Sequence, residues 1–274
     1  METYRLKNIA ILILVLLNVC LLLLVISLQY AQHQTQKNLI SQTVTLLAGS
    51  DISVDPQLLE GKAPLYAYYY SRDAEAEETF AAALLGGSPV RRDAGGGTYV
   101  YTASAGTATF RANGSFSLEI DAPALQDGPG REFVETYCPA NYRYEGLRTA
   151  GQHCTVTASA QVDGLPVYGA TIVFSFTDDL LTSASGFFVP ASELSSEPIE
   201  TISRASAAVY LMDHCNEEGK ICNTISGISD GYLLQSTVSA PMMLVPAYRI
   251  DTNTYSYYVN SSTGHVTPAG SSAR

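Results

Sequence analysis

The chain has 274 residues, with 15 Lys and Arg against 26 Asp and Glu, and a net charge of −11 at pH 7. That balance repels nucleic acid and anionic headgroups, so no nucleic-acid partner is expected. The length allows two small domains, at about 100 to 200 residues each.

Residues 9–28 form the first element, an apolar run whose polar members are Asn18 and Ser27. A helix of that length covers about 30 Å, the thickness of a bilayer's hydrocarbon core. A cleavable signal has an apolar stretch of about 7 to 15 residues, and Ser27-Leu28-Gln29-Tyr30-Ala31 makes a poor cleavage site. The run is therefore expected to stay as a transmembrane anchor. Arg5 and Lys7 precede it and only Lys37 follows closely, which places tail 1–8 in the cytoplasm and the rest outside. Asn18 is the residue singled out within the run. A carboxamide in hydrocarbon gains about 1 kcal/mol from a partner on another helix.

Residues 29–50 are predicted to continue the helix as a stalk, with Ile40, Val44 and Leu47 at helical spacing and Gly49-Ser50-Asp51 as its end. A first α+β module is expected over 51–122. Its helix, 73–85, opens on Asp73, Glu75, Glu77 and Glu78, which suit the positive end of a helix dipole, and stops at Gly86-Gly87. Strands follow at 98–103, 107–111 and 115–120, the last two joined by Asn113-Gly114, a strong hairpin signal. The Pro-, Gly- and Asp-rich stretch 121–130 is predicted to be a linker.

A second module is expected over 131–270. It starts with a short helix at 131–137 stopped by Pro139, then strands at 154–162, 167–176 and 180–188. Ser203 is placed to cap a helix over 204–215, with Ala207, Ala208, Leu211 and Met212 as its apolar side. Strands at 232–238, 243–250 and 255–259 complete it. Helices followed by antiparallel hairpins, without a β-α-β rhythm, indicate an α+β fold. The expected architecture is thus an N-terminal transmembrane helix followed by two small antiparallel-sheet-plus-helix modules.

Cys20 lies in the apolar run, which leaves Cys138, Cys154, Cys215 and Cys222 outside, where oxidation permits two disulfides. Pairing nearest neighbours would close short loops, but four cysteines allow three connectivities. His153-Cys154 and His214-Cys215 are matching pairs of zinc-type ligands. Neither has the spacing of a compact zinc site, and adjacent residues on a strand point to opposite faces, so no metal is expected.

Gly227-Ile228-Ser229-Asp230-Gly231 fits the G-x-S-x-G pattern, with Asp251 and His265 following in the order of a hydrolase triad. A nucleophile elbow needs a helix directly after the serine, whereas a strand is predicted here. The motif is read as a polar turn entering the strand at Tyr232. No H-E-x-x-H, P-loop or G-x-G-x-x-G is present, so no catalytic residue and no cofactor are expected. Asp178-Asp179 and Glu217-Glu218 are read as solvated turns. Tyrosine numbers 18, and Tyr68-Tyr69-Tyr70 and Tyr257-Tyr258 are read as packing on half-buried sheets, with a protein interface as the alternative.

Several short motifs resemble one family. Tyr4-Arg5-Leu6-Lys7-Asn8-Ile9 leading to Leu17-Asn18 is similar to the basic approach and Leu-Asn pair of YycI-type single-pass regulators, relatives of the YycH proteins. Gly164-Leu165-Pro166-Val167, the alanine-rich helix from Ser203, Leu244-Val245-Pro246-Ala247-Tyr248 and the segment from Tyr257 to Gly264 resemble PepSY-like modules. Tyr4 stands where the family has a tryptophan, and the four outer cysteines depart from its pattern.

The resemblance implies a non-catalytic extracytoplasmic domain acting with a YycH-like membrane protein on the sensor histidine kinase of a WalKR (YycFG) system that governs cell-wall metabolism. Contacts between membrane helices, at Leu17 and Asn18, would carry much of that control. The alternative is a PepSY-like module that inhibits a secreted peptidase or binds a cell-wall component.

Overall fold

A computed structural model describes residues 2–122, 125, 127–191, 194–237 and 240–270. The side chains of 2–13, 28–33, 236, 237, 240 and 241 lie outside the described residues.

Helix α1 (Glu2–Gly49) is continuous. Its side chains at 14–27 are all exposed, Leu16 to 66% and Leu22 to 61%. Those at Ile40, Thr43 and Leu47 are buried, with Val44 beside them. The buried set repeats at i, i+3, i+4 and i+7, which places it along one stripe of the helix. Asp51, at φ 59, ends the helix, and the amides of Ser50 and Ile52 both donate to the Leu47 carbonyl at 2.9 Å. Among the described residues no helix is long and apolar enough to cross a membrane. The expected span 9–28 falls partly outside the described side chains.

Strand β1 (Ser53–Val54) and a 3-10 turn (Pro56–Leu59) lead to β2 (Tyr66–Tyr70) and α2 (Ala74–Leu85). The α2 cap is as the sequence requires. Asp73 Oδ1 accepts from the Ala76 amide at 2.9 Å, and Gly86 closes the helix at φ 68, a left-handed position that glycine adopts without strain. A meander follows: β3 (Val90–Gly95), β4 (Thr98–Ala103), β5 (Gly106–Phe110) and β6 (Ser115–Ile120).

Helix α3 (Arg131–Tyr137) precedes β7 (Tyr142–Ala150), β8 (His153–Val162), β9 (Leu165–Thr177) and β10 (Leu180–Phe187). Then come β11 (Ser195–Pro198) and α4 (Arg204–Glu217), whose Ser203 cap accepts from the Ser206 amide at 3.2 Å. The chain closes with β12 (Thr224–Thr237), β13 (Ala240–Thr252), β14 (Ser256–Asn260) and β15 (Val266–Pro268). The fold is mixed α+β.

One hydrogen-bonded path runs β11-β2-β13-β12-β9-β10-β6-β5-β4-β3. Pairings are antiparallel except β1 with β12 and β12 with β9. The path crosses the expected division between modules at β11 with β2, at β13 with β2 and at β10 with β6. Two cores result. The first packs α2 and α3 on β4 to β10 around Phe80, Phe110, Phe116, Phe133 and Phe174. The second packs α1 and α4 on β12 to β14 around Leu47, Leu211, Tyr248 and Tyr257.

Several strands differ from expectation. The segment Gly227 to Gly231 is not a turn but the interior of β12, with Ser229 opposite Arg249 in β13. Its glycine is a packing residue: a Cβ on Gly231 would lie 2.6 Å from the Tyr168 ring and 2.7 Å from the Pro166 carbonyl. Strands β1, β2, β3, β7, β11 and β15 were not predicted. Strand β3 is exposed at every position, so it has no alternation to read.

Candidate functional site

The seam between α1 and α4 and the cleft between α2 and α3 each combine accessible surface with built geometry. At the seam, α4 presents Ala205, Ala207, Ala208, Leu211, Met212 and Cys215 as its buried side chains. Alanines let a neighbouring helix approach closely, and the α1 stripe Ile40, Thr43, Leu47 fills the space they leave. Beside it lies a cavity of about 340 Å³ lined by Leu39, Thr43, Ser206, Val209, Tyr210 and Asp213.

A strut fixes the start of α4. The buried Tyr248 hydroxyl accepts from the Ala63 amide at 2.6 Å and donates to the Ile202 carbonyl at 2.8 Å. Burial pushes this phenol up to about 12. Arg204, the first residue of α4, grips Asp230 with Nε to Oδ1 at 3.1 Å and Nη2 to Oδ2 at 2.8 Å. The bond to Asp230 raises the guanidinium further.

The α2–α3 cleft is about 420 Å³. Phe80, Phe188, Ala76 and Ala83 give it apolar walls, Asp73 and Glu75 an acidic rim, and Cys138 a thiol. Burial pushes that thiol up to about 12, so it is a protonated, weakly nucleophilic wall residue at neutral pH. Tyr137 at the rim donates to Asp127. Beneath α2, the buried Glu77 is held by Arg72 Nε at 2.7 Å and Nη2 at 2.8 Å, and the Arg72 guanidinium lies 3.9 Å over the Tyr99 ring. The Tyr101 hydroxyl adds a bond to Glu77 at 3.3 Å. A charge buried in this way persists because it is paired.

The residues singled out in the sequence fall as follows. Leu17 and Asn18 are exposed on α1. Asn18 Nδ2 donates to the Leu14 carbonyl at 2.9 Å, so its own helix takes part of the carboxamide's hydrogen bonding. Cys20, Cys138, Cys154, Cys215 and Cys222 are free thiols. Cys154 sits on β8 opposite Phe176, with its sulfur 3.6 Å from Thr149 Oγ1, whereas Cys138 follows α3 in the cleft. Cys215 and Cys222 are both buried in the second core and interact.

Ser229 Oγ lies 3.3 Å from the Tyr168 hydroxyl. Asp251 accepts from Arg249 Nε at 2.9 Å and from Ser256 Oγ, and the His265 amide donates to Thr263 Oγ1. The described contacts thus give Ser229 and Asp251 to other partners, and at His265 they involve the backbone amide. Among the described residues no group of three His, Cys, Asp or Glu is arranged to hold a metal. His153 meets Thr177 Oγ1 at 3.0 Å, and His214 Nε2 and the Tyr257 hydroxyl are buried without a partner. The tyrosine runs pack in the sheet: Tyr68 sets its edge to Tyr232 at 5.5 Å, and Tyr258 stacks on Tyr168 at 4.7 Å.

Neither the seam nor the cleft was singled out in the sequence. The apolar spacing of 40, 44 and 47 signalled the α1 half of the seam. No local signal announces the cleft, because its walls come from segments far apart in the chain.

No family model and no curated protein matches this chain. Solved structures do. The chain is similar to the Bacillus megaterium YpeB C-terminal domain, with TM-score 0.40 and 11% identity, covering 73% of this chain and 99% of that one. It is similar to an uncharacterized protein from Eubacterium rectale, with TM-score 0.39 and 11% identity, covering 76% and 85%. It is also similar to YycH from Bacillus subtilis, with TM-score 0.40 and 11% identity, covering 78% of this chain and 54% of YycH.

Proposed function

We propose that the chain is a non-catalytic regulatory module outside the cytoplasm, tethered by a single transmembrane helix at 9–28 with its N-terminus in the cytoplasm. It acts with a YycH-like membrane protein on a sensor histidine kinase that controls cell-wall metabolism. The observation that carries this reading is the unbroken α1, which joins an exposed apolar stretch, 14–27, to a stripe buried against α4. Apolar side chains exposed along a helix need lipid or partner helices to cover them. A stalk seated in the body turns any tilt or rotation of that stretch into movement of the body. A kinase with two signalling states needs only a small differential contact free energy to shift its population. The motif resemblance at 4–18 and in the C-terminal half supports the same reading.

The test replaces residues 9–28 by a polyleucine span that keeps the protein in the membrane. Kinase output and co-purified partners should both fall, and Asn18→Leu alone should lower partner recovery. If output and recovery stay at wild-type level with the polyleucine span, helix-to-helix control is wrong. The α2–α3 cleft favours a second reading, a binding module for a secreted peptidase or a wall component. Regulatory activity retained by a soluble form that starts near residue 39 would support that reading instead.

A further inference from the structure

Cys215 and Cys222 flank the end of α4, and both are buried in the second core. The chain reverses between them. Gly219 takes φ 62, and the Lys220 amide donates to the Cys215 carbonyl at 2.8 Å, which folds residues 220–222 back over the last helical turn. The two thiols interact with each other and share one buried cluster with Tyr257. The remaining outer cysteines occupy other surroundings, Cys138 in the α2–α3 cleft and Cys154 on β8.

We infer that Cys215 and Cys222 are a reversible disulfide site, closed by exchange with a small-molecule or protein disulfide, and that neither Cys138 nor Cys154 joins the pair. This inference does not depend on the regulatory reading above. The exchange balances in two steps. One cysteine thiolate attacks a sulfur of the oxidant, forming a mixed disulfide and expelling one thiolate. The second cysteine thiolate attacks the protein-side sulfur, forming the Cys215–Cys222 bond and expelling the second thiolate. The oxidant takes up two electrons, and the two cysteine protons end on the expelled thiolates or in solvent.

Burial holds both thiols above their ordinary range, Cys222 up to about 11, so the reaction is slow in the folded protein. Once formed, the bond ties the end of α4 to the segment entering β12. It thereby fixes the helix on which the α1 stalk rests. Oxidation would tighten the seam through which α1 is held.

The full chain, purified in detergent, is incubated with oxidised glutathione until its thiol content no longer changes. It is then alkylated, unfolded and cut with trypsin. Cleavage after Lys220 separates the two cysteines, so the bond shows as peptide 205–220 joined to peptide 221–249, lost on reduction. The oxidised chain should also melt about 5 °C higher, a gain that Cys222→Ser abolishes. Finding both cysteines alkylated, or carrying glutathione, or bridged to Cys138 or Cys154, overturns the inference. Mapping the wild-type chain decides the matter even where the variant fails to fold.

Discussion

Leu47→Ala is the perturbation that probes how the stalk is held. Leu47 is 0% exposed at the end of the α1 stripe, in the core that contains Leu59, Ala208 and Leu211. Truncation removes apolar atoms worth about 0.8 kcal/mol per methylene, and a cavity adds to that because alanines on α4 cannot grow to fill it. The expected loss is about 3 kcal/mol, within the usual range for a buried leucine. For a chain of this size that lowers the melting temperature by about 6 to 12 °C. The neighbouring Leu46 is 49% exposed, so Leu46→Ala should change stability by no more than about 0.5 kcal/mol. Thermal unfolding of the full chain compares the two, and hydrogen exchange reports where the structure loosens. Faster exchange in α4 is expected for Leu47→Ala alone. Equal melting temperatures for the two variants would show that α1 is not seated on the body, and the transmission scheme would go with it.

Glu77→Ala should cost about 3 kcal/mol, since it leaves the Arg72 guanidinium without its carboxylate. In a double-mutant cycle with Arg72→Ala, additive losses would refute the pairing. Gly231→Ala places a methyl against Tyr168 and the Pro166 carbonyl, and denaturant unfolding should report a loss of about 1 to 3 kcal/mol. An unchanged midpoint would sink the close-approach explanation of that glycine. Alkaline titration tests the buried phenols. Burial raises Tyr101, Tyr248 and Tyr257 to about 12, so above their ordinary value of 10.0 the unfolded chain releases protons that the folded chain keeps. Their contribution to stability should therefore be constant below pH 10 and fall between about pH 10 and 12, with tyrosinate absorbance from these groups appearing together with unfolding. Ionisation of every tyrosine at its ordinary value with the fold intact would contradict their burial.

Much of the local structure was legible because the signals are local. Asp73 and Gly86 bound α2, Ser203 caps α4, and Asn113-Gly114 turns the hairpin, each through bonds within a few residues. The G-x-S-x-G segment misled for the opposite reason. Its Gly231 answers to Tyr168, a residue on another strand, so nothing within the motif distinguishes a close approach from a turn. The cleft was invisible on the same grounds, because Phe80, Cys138 and Phe188 come to it from segments far apart in the chain.

The sequence by itself determined the helices, the Asn113-Gly114 hairpin, the apolar run at 9–28 and the helical spacing of Ile40, Val44 and Leu47. It could do so because capping, turn geometry and apolar periodicity are properties of short stretches of chain. Only the tertiary structure decided that β6 pairs with β10, that β2 pairs with β13, and that Cys215 meets Cys222 beside Tyr257. Pairing between distant segments is set by which faces remain to be buried once the local elements exist, and that competition is settled by the whole chain at once.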